Sequence, residues 1–161
     1  MNPNTHGQIS FCRQGKGVLE EIKVGASEER VWRVLTSFEK MPTYLSAIEH
    51  SKILKREGSY RLVEQTAKVR VPLMSFSLKV IMDVVEERPF LYFNQRLGSF
   101  ASFCGHWRVD PSLAGAGSRV SYYLEAELDN GLKRRTVESQ LRRLIRQNLR
   151  ELANWIDNSE T

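Results

Sequence analysis

Apolar residues recur along this chain with two rhythms, and the changes between them mark out its elements. Val18 to Val24 alternates weakly, blurred by the adjacent Glu20 and Glu21, and reads as a strand. Val31, Val34, Leu35 and Phe38 then fall at helical spacing. Ser27 stands where a capping side chain belongs, with Glu28 and Glu29 in the first turn. That predicts a short helix ending near Phe38. Pro42, tolerated in a first turn, opens a second helical piece carrying Tyr44, Leu45 and Ile48.

From His50 the period drops to two. Ile53 and Leu54 lie in a short strand that turns at Gly58 and Ser59. Val63, Gln65, Ala67 and Val69 share one face of the next strand, with Glu64, Thr66, Lys68 and Arg70 on the other. Further inward sets follow: Phe76, Leu78, Val80, Met82 and Val84; Leu91, Phe93, Gln95 and Leu97; Phe103, Gly105, Trp107 and Val109; Val120, Tyr122, Leu124, Ala126 and Leu128. Arg88-Pro89 and the small-residue loop from Pro111 to Ser118 separate them. Short strands joined by turn-sized gaps predict an antiparallel meander.

The rhythm returns to 3.6 in the last long segment, Gly131 to Asp157. Val137, Leu141, Leu144, Ile145, Leu149, Leu152, Trp155 and Ile156 form one stripe, with Asp129 and Asn130 at the N-capping end. At 1.5 Å per residue this helix would run about 39 Å, enough to cover the apolar face of a small sheet. The predicted order is one strand, two short helices, six strands and one long helix. The class is α+β: about seven antiparallel strands covered by a C-terminal helix.

Composition narrows the setting. The chain of 161 residues fits one domain, expected over residues 17–158 behind a flexible tail at 1–16. Cys12 and Cys104 are the only cysteines and form no Cys-x-x-Cys pair, so neither a disulfide framework nor a zinc site is expected. A reducing, cytoplasmic setting is then the expectation, with a peripheral membrane role open. The N-terminus has no apolar core of a secretory signal, and no run reaches the roughly 18 apolar residues of a spanning helix. The long helix carries Lys133, Arg134, Arg135, Arg142, Arg143, Arg146 and Arg150 against Glu138 and Glu151 before Asp157. The formal net charge of +5 is therefore concentrated on this one element.

Two stretches resemble the START-like (SRPBCC, helix-grip) superfamily, in particular its polyketide cyclase/dehydrase and coenzyme Q-binding proteins. One runs from Ser27 through Leu35 (SEERVWRVL) and on through Phe38 to Leu45 (FEKMPTYL). The other is Phe103 to Pro111 (FCGHWRVDP). The similarity covers about residues 18–156. It implies a curved sheet wrapped around the long helix. It also implies an apolar cavity between them for a quinone, isoprenoid, acyl lipid or polyketide. One branch of that family acts in ribosome association, so a ribosome-facing role comes with the resemblance as well.

Candidate ligand contacts follow from the inward faces: Phe76, Leu78, Met82, Phe93, Phe103, Trp107, Leu141, Leu144 and Ile145. Each has a plain alternative as core packing. Phe38, Met41, Tyr44 and Leu45 are expected at the cavity mouth, or else as a cap on one end of the sheet. The polar exceptions are Gln65, Gln95, Tyr122 and Asn148. They either satisfy one another or orient a ligand, as sparse polar groups do in apolar pockets.

Catalysis has little support. His50 and His106 are distant in sequence, His106 and Cys104 point outward by parity, and no inward carboxylate pair, phosphate loop or nucleophile elbow occurs. No cofactor or metal is expected, and a cyclase acting by shape stays open. The basic helix face, Arg135, Arg142, Arg143, Arg146 and Arg150, has three readings: a solvated surface, contact with anionic lipid, or contact with ribosomal or other RNA. Tyr92 and Tyr123 are outward but read as isolated, so no base-stacking platform is expected, and no DNA partner. The favoured expectation is a binding or carrier protein for a hydrophobic small molecule. A ribosome- or RNA-associated regulator is the alternative, and a polyketide cyclase the second.

Overall fold

The computed structural model describes residue 12 and residues 17–71, 74–127 and 134–159. Strand β1 (Val18–Val24) leads into α1 (Glu28–Leu35), a 3-10 turn (Phe38–Lys40) and α2 (Met41–Tyr44). Then come β2 (Ile48–Glu57), β3 (Tyr60–Val71), β4 (Met74–Glu87), β5 (Phe90–Gly98), β6 (Ser102–Pro111), β7 (Ser118–Glu127) and α3 (Arg134–Asn158). The strands make one curved antiparallel sheet in the order β1-β7-β6-β5-β4-β3-β2. The expected class and element order are the observed ones. Asp129, Asn130 and Leu128 lie outside the described residues.

Local chemistry explains the elements. The Ser27 side chain accepts from the Arg30 amide, as its position predicts for an N-cap. Leu35 ends α1, and Phe38 belongs to the following 3-10 turn. Arg30 reaches across to donate to the Ile156 and Ser159 carbonyls at 2.9 and 2.7 Å. It thereby satisfies orphan acceptors at the C-terminus of α3 and pins α1 to it.

Three details depart from the strict alternation. Ile48, expected in the second helical piece, opens β2, which is ten residues long. Bulges leave Glu49 and Leu54 out of the β2–β3 register, and Leu54 faces solvent. On β5, Gln95 pairs with Met82 but Leu97 pairs with Ile81, so Arg96 is an extra residue. A single inserted residue inverts the faces beyond it. Leu97, expected inward, is accordingly 64% exposed. Arg96 takes up a salt bridge to Asp83 at 2.6 Å, which Tyr60 joins by donating its hydroxyl to Asp83 at 2.7 Å.

The cysteines need a larger correction. Cys12 and Cys104 form a disulfide, with Cα atoms 5.7 Å apart. Two lone cysteines 92 positions apart carry no sequence signal of pairing. Register decides it: Cys104 stands on the outer face of β6 opposite Glu125, where Cys12 meets it. The expectation that the two cysteines form no disulfide is overturned, and the reducing-compartment expectation loses its premise. The rest of the expected tail lies outside the described residues.

The α3 backbone runs closest to β1 and β7 and also meets α1 and α2. Ile145, Leu149, Leu152 and Ile156 are buried beneath it with Val63, Val84, Leu91, Val109 and Val120 from the sheet.

Candidate functional site

The inner face of β5, β6 and β7 carries an aromatic wall. Trp107 and Tyr122, directly opposite in register, stack with ring centroids 3.8 Å apart and planes 10° from parallel. Phe93 lies edge-on to Tyr122 at 6.1 Å and tilted on Phe103 at 5.5 Å, and Phe103 meets Phe100 at 4.7 Å. Gly105 makes the wall flat. A Cβ there would stand 2.1 Å from the Tyr123 carbonyl oxygen and 2.7 Å from the Phe93 ring. Phe100 was not anticipated, because it sits in the hairpin turn beyond the alternating run.

Burial along this face is graded. Toward the β4–β5 and β6–β7 hairpins, apolar side chains are sealed: Val84, Leu91, Val109 and Val120 are nearly inaccessible. Toward the opposite end, the inward Val69, Phe76, Phe103 and Ala126 are only half-buried, and so are Leu141 and Leu144 on the N-terminal half of α3. Leu78, Met82, Phe93, Trp107 and Ile145 lie between, buried. Phe38, Met41, Tyr44 and Leu45 are also buried in the core. Tyr44 donates its hydroxyl to the Val34 carbonyl at 3.1 Å and stacks on the half-exposed Trp155 at 5.6 Å. These four residues fill the flank between β2 and α3.

The four polar exceptions fall into two kinds. Gln65 is satisfied: its amide nitrogen donates to Ser51 Oγ at 3.1 Å and approaches Met41 Sδ at 3.2 Å. Gln95 donates Nε2 to the Phe100 carbonyl at 2.9 Å, yet its buried Oε1 accepts no hydrogen bond. Asn148, 5% exposed, likewise holds a buried Oδ1 with no donor. Among the described residues the Tyr122 hydroxyl has no hydrogen-bond partner, and burial pushes it well above the usual phenol range.

One inward carboxylate escaped the parity reading. Glu20 pairs with Tyr122 in the β1–β7 register and so faces the helix. It accepts from Arg142 at 2.6 Å and bridges Arg146 at 3.2 Å. Burial opposes its charge, but the hydrogen bonds and charges of the two guanidinium groups prevail and hold its carboxyl below the usual range. Two of the five basic-face candidates are thus committed to a clamp between α3 and β1. Arg143 and Arg150 line an open depression on α3 together with Ser139, Gln147 and the clamped Arg142 and Arg146. The Arg135 side chain lies outside the described residues.

The outer face is more organised than expected. Tyr92 and Tyr123 are joined through His106, whose ring lies 5.8 and 5.3 Å from theirs, with Phe90 at 5.4 Å. Burial and neighbouring Arg108 lower the His106 pKa. The Tyr123 hydroxyl donates to Glu125, whose carboxylate lies within 4.8 Å of the Cys12 and Cys104 sulfurs. Bonded to each other, those sulfurs offer no thiolate to a metal.

Comparison with known proteins decides the family. The sequence matches the polyketide cyclase/dehydrase and lipid transport family over residues 24–153. The chain belongs to that family. A search of curated proteins found no sequence match. Solved structures similar to this family member include TTHA0849 of Thermus thermophilus, with TM-score 0.79, 23% identity, and 90% of this chain and 99% of that one covered. A START superfamily protein of Mycobacterium smegmatis gives TM-score 0.79 at 16% identity, covering 91% of this chain and 100% of that one. The Zhui aromatase/cyclase of Streptomyces sp. R1128 gives 0.65 at 15% identity, covering 88% and 93%. At such identities these likenesses speak to the fold. Family membership goes with hydrophobic-ligand binding or with polyketide cyclase chemistry. Among the described residues, no helix is long and apolar enough to cross a membrane.

Proposed function

We propose that this family member binds and carries a hydrophobic small molecule between the sheet and α3, entering at the end where the inner face is only half-buried. The carrying observation is the graded burial of one apolar surface. Phe76, Phe103, Leu141 and Leu144 face inward yet stay accessible, whereas residues of the same faces toward the other end are sealed. A core packed to crystal-like density throughout would bury both ends alike. Apolar, aromatic-lined surfaces with a few polar groups are what small-molecule sites are made of. The ligand classes in view are a quinone, an isoprenoid or an acyl lipid.

Binding is favoured over catalysis because the inward Glu20 carboxylate is engaged by two arginines. Arg142 and Arg146 hold the Glu20 carboxyl below its usual range, and burial raises the Tyr122 hydroxyl above its own. Association with RNA or a membrane surface through α3 is weakened as a reading by the same clamp, which engages Arg142 and Arg146.

Native mass spectrometry of freshly purified protein, followed by solvent extraction, tests the proposal. A co-purifying hydrophobic molecule in stoichiometric amount, or saturable uptake from a panel of quinones and lipids, is the expected result. A protein that emerges empty and takes up none of the panel would refute it.

A further inference from the structure

The buried polar atoms on the inner side say what kind of hydrophobic molecule fits. Gln95 is oriented by its own donation from Nε2 to the Phe100 carbonyl, so the atom left over is Oε1, a pure acceptor. Asn148 presents the same deficit from the helix side, with Oδ1 buried and unpaired. A third unpaired atom, Arg119 Nε, is a donor, but it belongs to the outer-face register of β7, where Arg119 bridges Asp110. Inside, both of these buried unpaired atoms are acceptors. Folding leaves buried acceptors unmatched only at a cost, and that cost is recovered when a donor arrives.

Resting on the binding reading above, we infer that the cognate ligand offers hydroxyl or N–H donors on an apolar body. The site would then hold a phenol, hydroquinone or hydroxylated lipid in preference to the matching quinone or ether. A quinone brings only carbonyl oxygens and would set acceptor against acceptor at Gln95 Oε1. A hydroxyl brings the missing proton. Aromatic ligands also have a stacking surface in Trp107, Tyr122, Phe93 and Phe103. The Tyr122 hydroxyl, neutral and without a partner among the described residues, can accept from the same donor or give its own proton to the ligand oxygen.

The test uses a matched pair, 2-naphthol and 2-methoxynaphthalene, which share the aromatic body and differ in the donor. Affinities are measured by tryptophan fluorescence and calorimetry on the full chain. The wild type is expected to bind the naphthol about tenfold more tightly, the worth of one buried hydrogen bond. In Gln95→Met and Asn148→Leu the preference should shrink toward parity while the ether still binds. Equal affinities in the wild type would overturn the inference and leave the apolar site standing, with ordered water the native partner of these acceptors. A preference that survives in both variants would also overturn it. Binding of neither compound would remove the site itself. Should either variant fail to fold, the wild-type pair decides alone.

Discussion

The two ends of the inner face are built from the same kinds of residue and behave differently. At the sealed end, Leu35 of α1 and Leu152 and Ile156 of α3 close over Leu91, Val109 and Val120, and Arg30 ties the two helices together. At the other end, Leu141 and Leu144 of α3 and Phe76 and Phe103 of the sheet stay half-buried, with Leu141 and Phe103 packed at the edge of the core. There α3 is held through the Glu20 clamp. Composition is alike, so the difference comes from what lies over each end: two pinned helices in one case, the N-terminal half of α3 in the other. On the proposed reading, one end serves as a core and the other as the ligand site.

The largest expected effects come from probing that contrast by truncation. Leu152→Ala, at a fully buried position, should lower unfolding free energy by about 3 kcal/mol, and Leu144→Ala by about 1 kcal/mol or less. Chemical denaturation of both variants checks this, and equal losses would erase the distinction. Cys104→Ser should cost about 2 kcal/mol by freeing a loop closed across 92 positions, yet leave ligand affinity unchanged, since the disulfide sits on the outer face. An altered affinity would show that the outer face reaches the ligand site.

A smaller effect isolates the clamp. Glu20 has a folded pKa below its reference value of 4.5, so its contribution is complete above that value. It is lost as pH falls through the depressed folded value. Thermal melts on the acid side should therefore fall more steeply for the wild type than for Glu20→Gln. At neutral pH the substitution should cost only about 0.5–1 kcal/mol, because both arginines are well exposed. Parallel acid limbs would mean that the clamp carries no weight. Phe103→Ala, half-buried, is expected to cost about 1 kcal/mol while weakening ligand binding about tenfold. Unchanged binding would move the ligand away from the aromatic wall.

The alternating runs made the class, the order of elements along the chain and most inward residues readable from the sequence, because a sheet with one covered face imposes a period of two; the pairing of β1 with β7 was not. What escaped was everything that breaks the period or spans the chain. Arg96 inverts the faces at a bulge, so Leu97 looked inward. Glu20 looked indistinct beside Glu21, and only the β1–β7 register turns it toward Tyr122. The Cys12–Cys104 bond and the Tyr92–His106–Tyr123 cluster join residues from separate strands or from the tail. The polar exceptions were legible as a set, but which of them were satisfied was not: Ser51, which answers Gln65, gave no periodic signal.

The most direct measurement is an NMR titration with 2-naphthol, following methyl and aromatic carbon shifts. The expected result is saturable perturbation of Leu141, Leu144, Phe103, Trp107 and Tyr122, with Leu35 and Ile156 unmoved. Shifts confined to the Arg143 and Arg150 surface, or centred on Leu35 and Ile156, would contradict a ligand site at the half-buried end.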